Sequence, residues 1–137
     1  MSTQINNVTI TTVMLPISAF PVVTEQTILK EALEEMDNFR LGVACAVNTK
    51  GHLLGILTDG DIRRKLLSVQ KPLSAFFIDD AIEHAILNPI VISPSNNLYE
   101  AVVLMDKKQV WDLPVVDNNK LVGLLHLHPV VEALLSR

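Results

Sequence analysis

The sequence is poor in several residue types, and each shortage excludes a class of protein. Among its 137 residues there is one cysteine, Cys45, so no internal disulfide can form. It lies in the apolar run VACAV, where a buried, inert thiol is expected. Aromatic residues make up 4% of the chain, and Trp111 and Tyr99 are therefore interpreted as packing residues and not as platforms for stacked bases.

Positive charge is also scarce. The formal net charge is -4 and charged residues make up 19%, so no general field would attract nucleic acid or an anionic membrane. No apolar stretch approaches the roughly 18 to 20 residues needed to span a bilayer. No cation precedes Lys30, as a signal peptide would require. We therefore expect a cytoplasmic protein with no nucleic-acid or membrane partner, in which local groups hold any bound anion.

Familiar catalytic motifs are missing as well. The sequence contains no P-loop, no G-x-S-x-G, no H-E-x-x-H and no paired His and Cys, so it predicts no catalytic residue and no required cofactor. Hydrophobic residues are plentiful at 49%, which indicates a well-buried globular protein. The length suits one domain or two small modules.

The chain repeats itself. LKEALEEM, from Leu29, is echoed by LYEAVVLM, from Leu98, a shift of 69 residues (98 − 29). The glycines of LLGILTDGD and LVGLLHLHP, Gly55 and Gly123, are 68 apart (123 − 55), so one residue is lost between these anchors, in the turn. Each copy is the size of a small module that pairs with its twin.

Each copy predicts the same order of elements. In the first, Thr27 caps a helix, VACAV and LLGIL form a hairpin around Asn48, Lys50 and Gly51, and Asp59 or Asp61 starts a second helix. In the second, Asn96 or Asn97 caps the helix, LPVV and LVGLL form the hairpin, and Pro129 lies in a helix first turn. Extended segments TTVML (11–15) and PIVIS (89–93) lead into the copies. Residues 73–87 between them look helical, with a charged patch at Asp79 and Asp80.

This order, together with the wording GILTDGDIRR, resembles the tandem pair of cystathionine beta-synthase (CBS) domains. More narrowly, LTDGDIRR and LHLHP are similar to segments of the pair that ends arabinose-5-phosphate isomerases of the sugar isomerase type. The resemblance implies an α+β (α/β-like) fold of two β-α-β-β-α motifs paired with pseudo-twofold symmetry. The first motif with its N-terminal extension would span residues 1–72, and the connecting helix and second motif residues 73–137.

The resemblance also implies a ligand. Such pairs usually hold an adenosine-containing nucleotide in a cleft between the copies, and the motif glycine, hydroxyl and acid map to Gly55, Thr58 and Asp61. Physically, Thr58 beside a helix start suits a phosphate, and the carboxylate of Asp61 suits the paired hydroxyls of a ribose. Arg63 and Arg64 supply positive charge. In the alternative, the acids only cap the helix, with Asp59 the favoured cap, and the arginines form a solvated face.

The second copy departs from this pattern. His126 and Pro129 stand where the first copy has Thr58 and Asp61, so a ribose could not be gripped there in the same way. His126 remains a candidate for contact with a phosphate, or for a pH-sensitive donor. His126 and His128 would point the same way from a strand, which makes both candidate ligand-cleft residues, but two imidazoles are too few for a closed zinc site and no metal is predicted.

Three functions compete: a ligand-sensing regulatory module, an enzyme, and a structural module that only dimerises a larger protein. The sugar isomerase domain that would catalyse the aldose-ketose interconversion is absent from this chain, so we predict a regulatory fragment or stand-alone module. It would be associated with arabinose-5-phosphate isomerase and synthesis of the 3-deoxy-octulosonate of lipopolysaccharide. The expected effector is an adenine nucleotide or a cytidine-linked sugar. Apolar residues beyond one stripe on the helix 98–108 predict self-association as a dimer.

Overall fold

The computed structural model describes residues 7–136 and contains two compact units. The first unit is Ser18–Pro89, and the second unit combines residues 7–17 with residues 90–136. The predicted boundary at residues 72 and 73 separates the sequence repeats, and it does not coincide with this division. Residues 1–6 of the predicted N-terminal extension lie outside the described residues. The pseudo-twofold pairing stays a prediction.

Six helices and seven strands occur in the described residues, besides 3₁₀ turns at Ile17–Ala19 and Ala81–His84. In chain order they are α1 (Ile10–Val13), β1 (Leu15–Pro16), β2 (Val22–Thr24), α2 (Leu29–Phe39), β3 (Val43–Val47), β4 (Leu53–Thr58), α3 (Asp59–Ser68), α4 (Leu73–Phe77), β5 (Ile86–Leu87), α5 (Leu98–Lys108), β6 (Asp112–Asp117), β7 (Lys120–His126) and α6 (Leu127–Leu135). No helix among residues 7–136 is long and apolar enough to cross a membrane.

Each unit contains one sheet. In Ser18–Pro89 the order is β2-β3-β4-β5, with β2 parallel to β3 and the other pairs antiparallel. In the other unit the order is β1-β7-β6, entirely antiparallel. A single parallel bridge between Ile92 and Val115 takes the place of the first strand of the second copy. The α+β class, the two copies and both hairpins are therefore confirmed.

The long helix of each copy covers its sheet with equivalent residues. Leu29, Ala32 and Met36 of α2 are buried, as are Leu98, Ala101 and Met105 of α5, at the spacing of one helical face. The α5 cap is confirmed as Asn97, whose Oδ1 accepts from the Glu100 N–H at 2.8 Å while Glu100 Oε1 accepts from the Asn97 N–H at 2.9 Å.

The α2 cap was predicted wrongly. Thr27 Oγ1 accepts from the Thr24 N–H at 3.0 Å and does not reach the helix, which begins one residue later than this cap requires. The backbone N–H of Ile28 donates instead to the Glu31 carboxylate, at 3.4 Å.

The two hairpin turns differ by one residue. In the first, Asn48 Oδ1 accepts from the N–H groups of Lys50 and His52, and Gly51 adopts a φ of 81°, a region that favours glycine. In the second, the left-handed pair 118–119 closes a two-residue turn. The change in the spacing of the two copies from 69 to 68 residues therefore arises in the turn, as predicted.

Gly55 and Gly123 each lie in a hairpin strand, at a position that pairs with a short edge strand. β5 pairs with β4 at Gly55, and β1 pairs with β7 at Gly123. A Cβ at Gly55 would lie 2.6 Å from the carbonyl oxygen of Ile86, and one at Gly123 would lie 2.9 Å from that of Leu15. Both glycines thus allow close approach of backbones, which gives Gly55 a structural role whether or not it also meets a ligand.

Two connecting segments were predicted wrongly. TTVML is not extended throughout: Ile10–Val13 is helical, because Ile10, Val13 and Met14, at helical spacing, pack into the core of the second unit. Residues 73–87 are not one helix but α4, a 3₁₀ turn and β5. The helix is interrupted because the Asp79 carbonyl accepts from Leu29 N–H and the Ala81 N–H donates to the Thr27 carbonyl, both at 2.8 Å. PIVIS is extended only through the bridge at Ile92.

Candidate functional site

The hydroxyl of Thr58 and the carboxylate of Asp61 meet where β4 ends and α3 begins, and this pair is called the first corner below. Thr58 Oγ1 accepts from the backbone N–H of Asp61 at 3.1 Å and donates to its Oδ2 at 2.6 Å. Thr58 is therefore the cap of α3. The two residues expected to act together do lie together.

The prediction that Asp59 caps α3 is wrong. Asp59 is the first residue of the helix, and its backbone N–H donates to the carbonyl of Gly42 at 3.0 Å. Its carboxylate also faces Gly42, where a Cβ would lie 2.8 Å from Asp59 Oδ2. The side chain of Asp59 thus points to the start of β3 and away from the N–H groups that a cap would accept from.

One of the two arginines joins the first corner. Arg64 Nη2 donates to Asp61 Oδ1 at 2.7 Å, and the guanidinium lies across the first turn of α3, 3.2 Å from where a Cβ of Gly60 would be. The Arg64 side chain is 63% exposed and that of Asp61 21%. The side chain of Arg63 is exposed and makes no hydrogen bond or ion pair with any residue from 7 to 136. Its contact with a ligand stays a prediction.

The carboxyl of Asp61 is held ionised. Partial burial favours the neutral acid, but the hydrogen bonds from Thr58 and Arg64 and the charge of Arg64 lower the pKa of Asp61 below its ordinary value. A carboxylate can accept about four hydrogen bonds, so acceptor capacity remains after these two. The first corner therefore offers acceptors for hydroxyls beside an exposed cation.

The equivalent position of the second copy holds a different pair. His126 ends β7 opposite Asp112 at the start of β6, and its Nδ1 lies 2.6 Å from Asp112 Oδ1. Burial raises the pKa of Asp112, although the hydrogen bond and charge of His126 act in the opposite direction and lower it. Pro129 lies in the first turn of α6, as predicted, and offers no donor. No carboxylate takes the role of Asp61 here.

The prediction that His126 and His128 point the same way from a strand is wrong. β7 ends at His126 and α6 begins at the next residue. His128 is thus a helical residue whose 76% exposed imidazole lies 3.0 Å from Glu132 Oε1, one turn further on. The structure brings His128 to no other predicted site residue by a hydrogen bond or ion pair.

A polar network that the sequence did not predict lies in the first unit. Asp79 Oδ2 is 2.7 Å from Lys71 Nζ and 2.9 Å from Nε2 of His84, whose ring is almost fully buried against Phe76. Asp79, Glu83 and His84 are the one set among residues 7–136 whose ligand atoms converge as a metal would require. Since Lys71 already neutralises Asp79, we interpret the cluster as an ion-pair network. The sequence signal was limited to the charged patch at Asp79 and Asp80.

The aromatic residues lie differently from the prediction. Trp111 is 70% exposed and Tyr99 46%, so the interpretation of both as packing residues is wrong for Trp111 and holds only in part for Tyr99. Trp111 borders a groove of about 270 Å³ on the surface of α5 and α6. Its lining is mainly apolar and includes Val102, Met105, Val130, Val131 and Leu134. A larger groove of about 830 Å³ follows the charged side of α2 and does not include the first corner.

Comparison with known proteins identifies the repeat. The family model of the CBS domain matches residues 10–68 and again residues 80–136. The structure is similar to that of CBSX2, a CBS-pair protein from Arabidopsis thaliana, in its complex with AMP: the TM-score is 0.82 at 28% identity, over 94% of this chain and 97% of that one.

Curated relatives are longer than this chain. An uncharacterized protein of Helicobacter pylori strain J99 is 37% identical over 122 residues, which is 87% of this chain and 35% of the relative. Arabinose 5-phosphate isomerase KdsD of Escherichia coli K12 is 29% identical over 115 residues, 82% of this chain and 33% of the enzyme. The chain therefore spans about a third of the length of the curated relatives it matches, and the predicted likeness to such isomerases is confirmed.

Proposed function

Because the chain belongs to the CBS domain family and carries two copies of the domain, we propose that it is a regulatory module that binds a nucleotide at the first corner. The observation that carries the proposal is the contact between Thr58 and Asp61, with an ionised, partly exposed carboxylate beside a cation. The solved complex of CBSX2 with AMP supports an adenine nucleotide as the first ligand to test.

Each group of the first corner has a role in this proposal. The hydroxyls of the ribose donate to the carboxylate of Asp61, which accepts two hydrogen bonds now and has room for more. The phosphate lies near Thr58 and the start of α3, where backbone N–H groups and the helix dipole favour an anion. Since His126 is tied to Asp112 and Pro129 has no side-chain acceptor, the second copy does not bind a ribose in this way.

Binding would act on an attached or partner protein. A ligand shifts a conformational equilibrium only by its difference in affinity for the two states. The likeness to arabinose 5-phosphate isomerase KdsD supports a sugar isomerase domain of 3-deoxy-octulosonate synthesis as the regulated partner. In that pathway the cytidine-linked sugar end product is the second candidate effector. The proposal gives this chain no catalytic residue.

Isothermal titration calorimetry with AMP, ATP and the cytidine-linked sugar tests the proposal. Asp61→Asn keeps the shape of the side chain and removes its charge, and it should weaken the bound nucleotide by about 1.5 to 3 kcal/mol, roughly 10- to 150-fold. Asp59→Asn makes the same change two residues away, where the carboxylate faces Gly42, and should leave the affinity unchanged. Heat from none of the three ligands would leave a purely structural module as the better account.

Self-association is the second candidate function, and the exposed Trp111 favours it. Val131 and Leu135 of α6 are also exposed, at 38% and 80%, so this face of the second unit presents apolar surface to solvent. We expect a dimer by light scattering after size exclusion. Trp111→Ser should shift it toward monomer, whereas Tyr99→Ser, at an exposed aromatic residue outside the groove, should have less effect. A monomeric wild-type protein at all concentrations would contradict this.

A further inference from the structure

Arg64 occupies the side of Asp61 from which a ligand would approach. The hydrogen bond between Thr58 and Asp61 Oδ2 is partly buried, whereas the one from Arg64 to Oδ1 is exposed. The guanidinium reaches back three residues along α3 to make it. Arg63 and Lys65, its neighbours, make no side-chain hydrogen bond or ion pair with any residue that the structure describes. Of three consecutive cations, one is therefore engaged at the first corner.

We propose that Arg64 is a specificity residue that makes the first corner select phosphorylated nucleosides over free nucleosides, by exchanging Asp61 for a phosphate. The inference rests on the proposed function. Two ribose hydroxyls need both oxygens of Asp61, and a diol arriving from the exposed side meets the guanidinium on Oδ1. Oδ1 has capacity for a further hydrogen bond, but the guanidinium lies on its exposed side, so Arg64 must leave its ion pair before a hydroxyl reaches this oxygen.

The phosphate decides whether that exchange is favourable. A nucleotide provides a new partner for Arg64, since a guanidinium forms charge-assisted hydrogen bonds with phosphate oxygens. A nucleoside provides none, so the guanidinium is left to water and the lost ion pair opposes binding. The pair between Arg64 and Asp61 thus weakens every ribose ligand, and only a phosphorylated one recovers the loss.

Calorimetry with AMP and adenosine on wild type, Arg64→Gln and Lys65→Gln tests this. Arg64→Gln should weaken AMP roughly tenfold or more, because a charge-assisted contact is lost. It should also strengthen adenosine roughly two- to fivefold, because an exposed ion pair no longer competes. Lys65→Gln removes the same charge from the same helix and should leave adenosine unchanged.

The opposite changes expected for AMP and adenosine distinguish this exchange from simple attraction between Arg64 and the phosphate. If Arg64→Gln weakens AMP but leaves adenosine unchanged or weaker, the exchange is refuted while nucleotide binding at the first corner stands. If wild type gives no heat with either ligand, the proposed function fails and the inference fails with it.

A second readout requires no ligand. In a carboxyl-carbon NMR titration, Arg64→Gln should raise the pKa of Asp61 while Lys65→Gln leaves it in place, since Arg64 donates to Asp61 and Lys65 does not. An Asp61 pKa that is the same in Arg64→Gln and wild type would show that the ion pair does not form in solution, and would overturn the inference whatever the affinities.

Discussion

Gly55→Ala should destabilise the first unit, because the backbone of β5 lies against this residue. The added Cβ would lie 2.6 Å from the carbonyl oxygen of Ile86, against the 3.4 Å at which ordinary contact begins, a shortfall of 0.8 Å (3.4 − 2.6). The obstacle is backbone, which cannot rotate away as a side chain does. β5 must therefore move away from β4.

The magnitude follows from what β5 loses. It pairs with β4 at only two positions, Gly55 with Leu87 and Ile56 with Ile86. Loss of about two backbone hydrogen bonds at 0.5 to 1.5 kcal/mol each gives about 1 to 3 kcal/mol, which matches the usual penalty for overpacking. We therefore expect the free energy of unfolding to fall by about 1 to 3 kcal/mol.

Urea denaturation followed by circular dichroism measures this change, and hydrogen exchange of the β4 and β5 amides locates it. Gly51→Ala is the control, since it meets nothing within 4 Å but has a φ of 81°. It should cost about 1 to 2 kcal/mol from backbone strain alone and leave β5 protected. If Gly55→Ala keeps wild-type stability and wild-type exchange in β5, the structural role assigned to Gly55 is wrong.

Three further predictions concern hydrogen bonds and charge. Thr58→Val should destabilise α3 by about 0.5 to 2 kcal/mol in urea denaturation and Thr58→Ser should recover most of this; equal losses would refute the cap. Burial raises the folded-state pKa of Asp112 above 3.8, so its contribution is present below that pH and is lost as pH rises through the folded pKa. The stability of Asp112→Asn relative to wild type should therefore increase as pH rises from 3.8 through the folded-state pKa of Asp112, and a constant difference would contradict this. The hydrogen bond from Lys71 is the largest cause, and that from His84 the next, of a folded-state pKa of Asp79 below 3.8. The contribution of these contacts to stability is therefore present above pH 3.8 and is lost as pH falls through the folded-state pKa. Lys71→Met should move acid unfolding to higher pH, and an unchanged midpoint would count against the network.

The sequence was sufficient for features that depend on local pattern. The spacing of Leu29, Ala32 and Met36 predicts which side of α2 is buried, and the repeat extends that prediction to α5. The hairpins follow from short apolar runs joined by turn residues such as Asn48 and Gly51. The resemblance to CBS domains singled out Thr58 and Asp61, and their contact fits a spacing of three residues at a strand-to-helix junction, where a cap side chain accepts from the N–H three residues on.

Features that depend on distant contacts were not predictable from one sequence. The β-branched run in TTVML favours a strand locally, but burial of Ile10 in the second unit makes it helical. The break in residues 73–87 depends on backbone bonds to Leu29 and Thr27, some 50 residues earlier in the chain. His128 was misplaced because it was treated as a strand residue, whereas the helix begins at Leu127, and boundaries are the least certain part of a pattern.

The central claim is that the first corner, and not its counterpart in the second copy, binds the nucleotide. Titration of ¹⁵N-labelled protein with AMP, followed by two-dimensional NMR, tests it most directly. The account predicts saturable shifts of the amide signals of Thr58, Asp61 and Arg64, with Leu127 and His128 shifted much less. Equal or larger shifts at Leu127 and His128, or no shift at Asp61 at a saturating concentration of AMP, would contradict it.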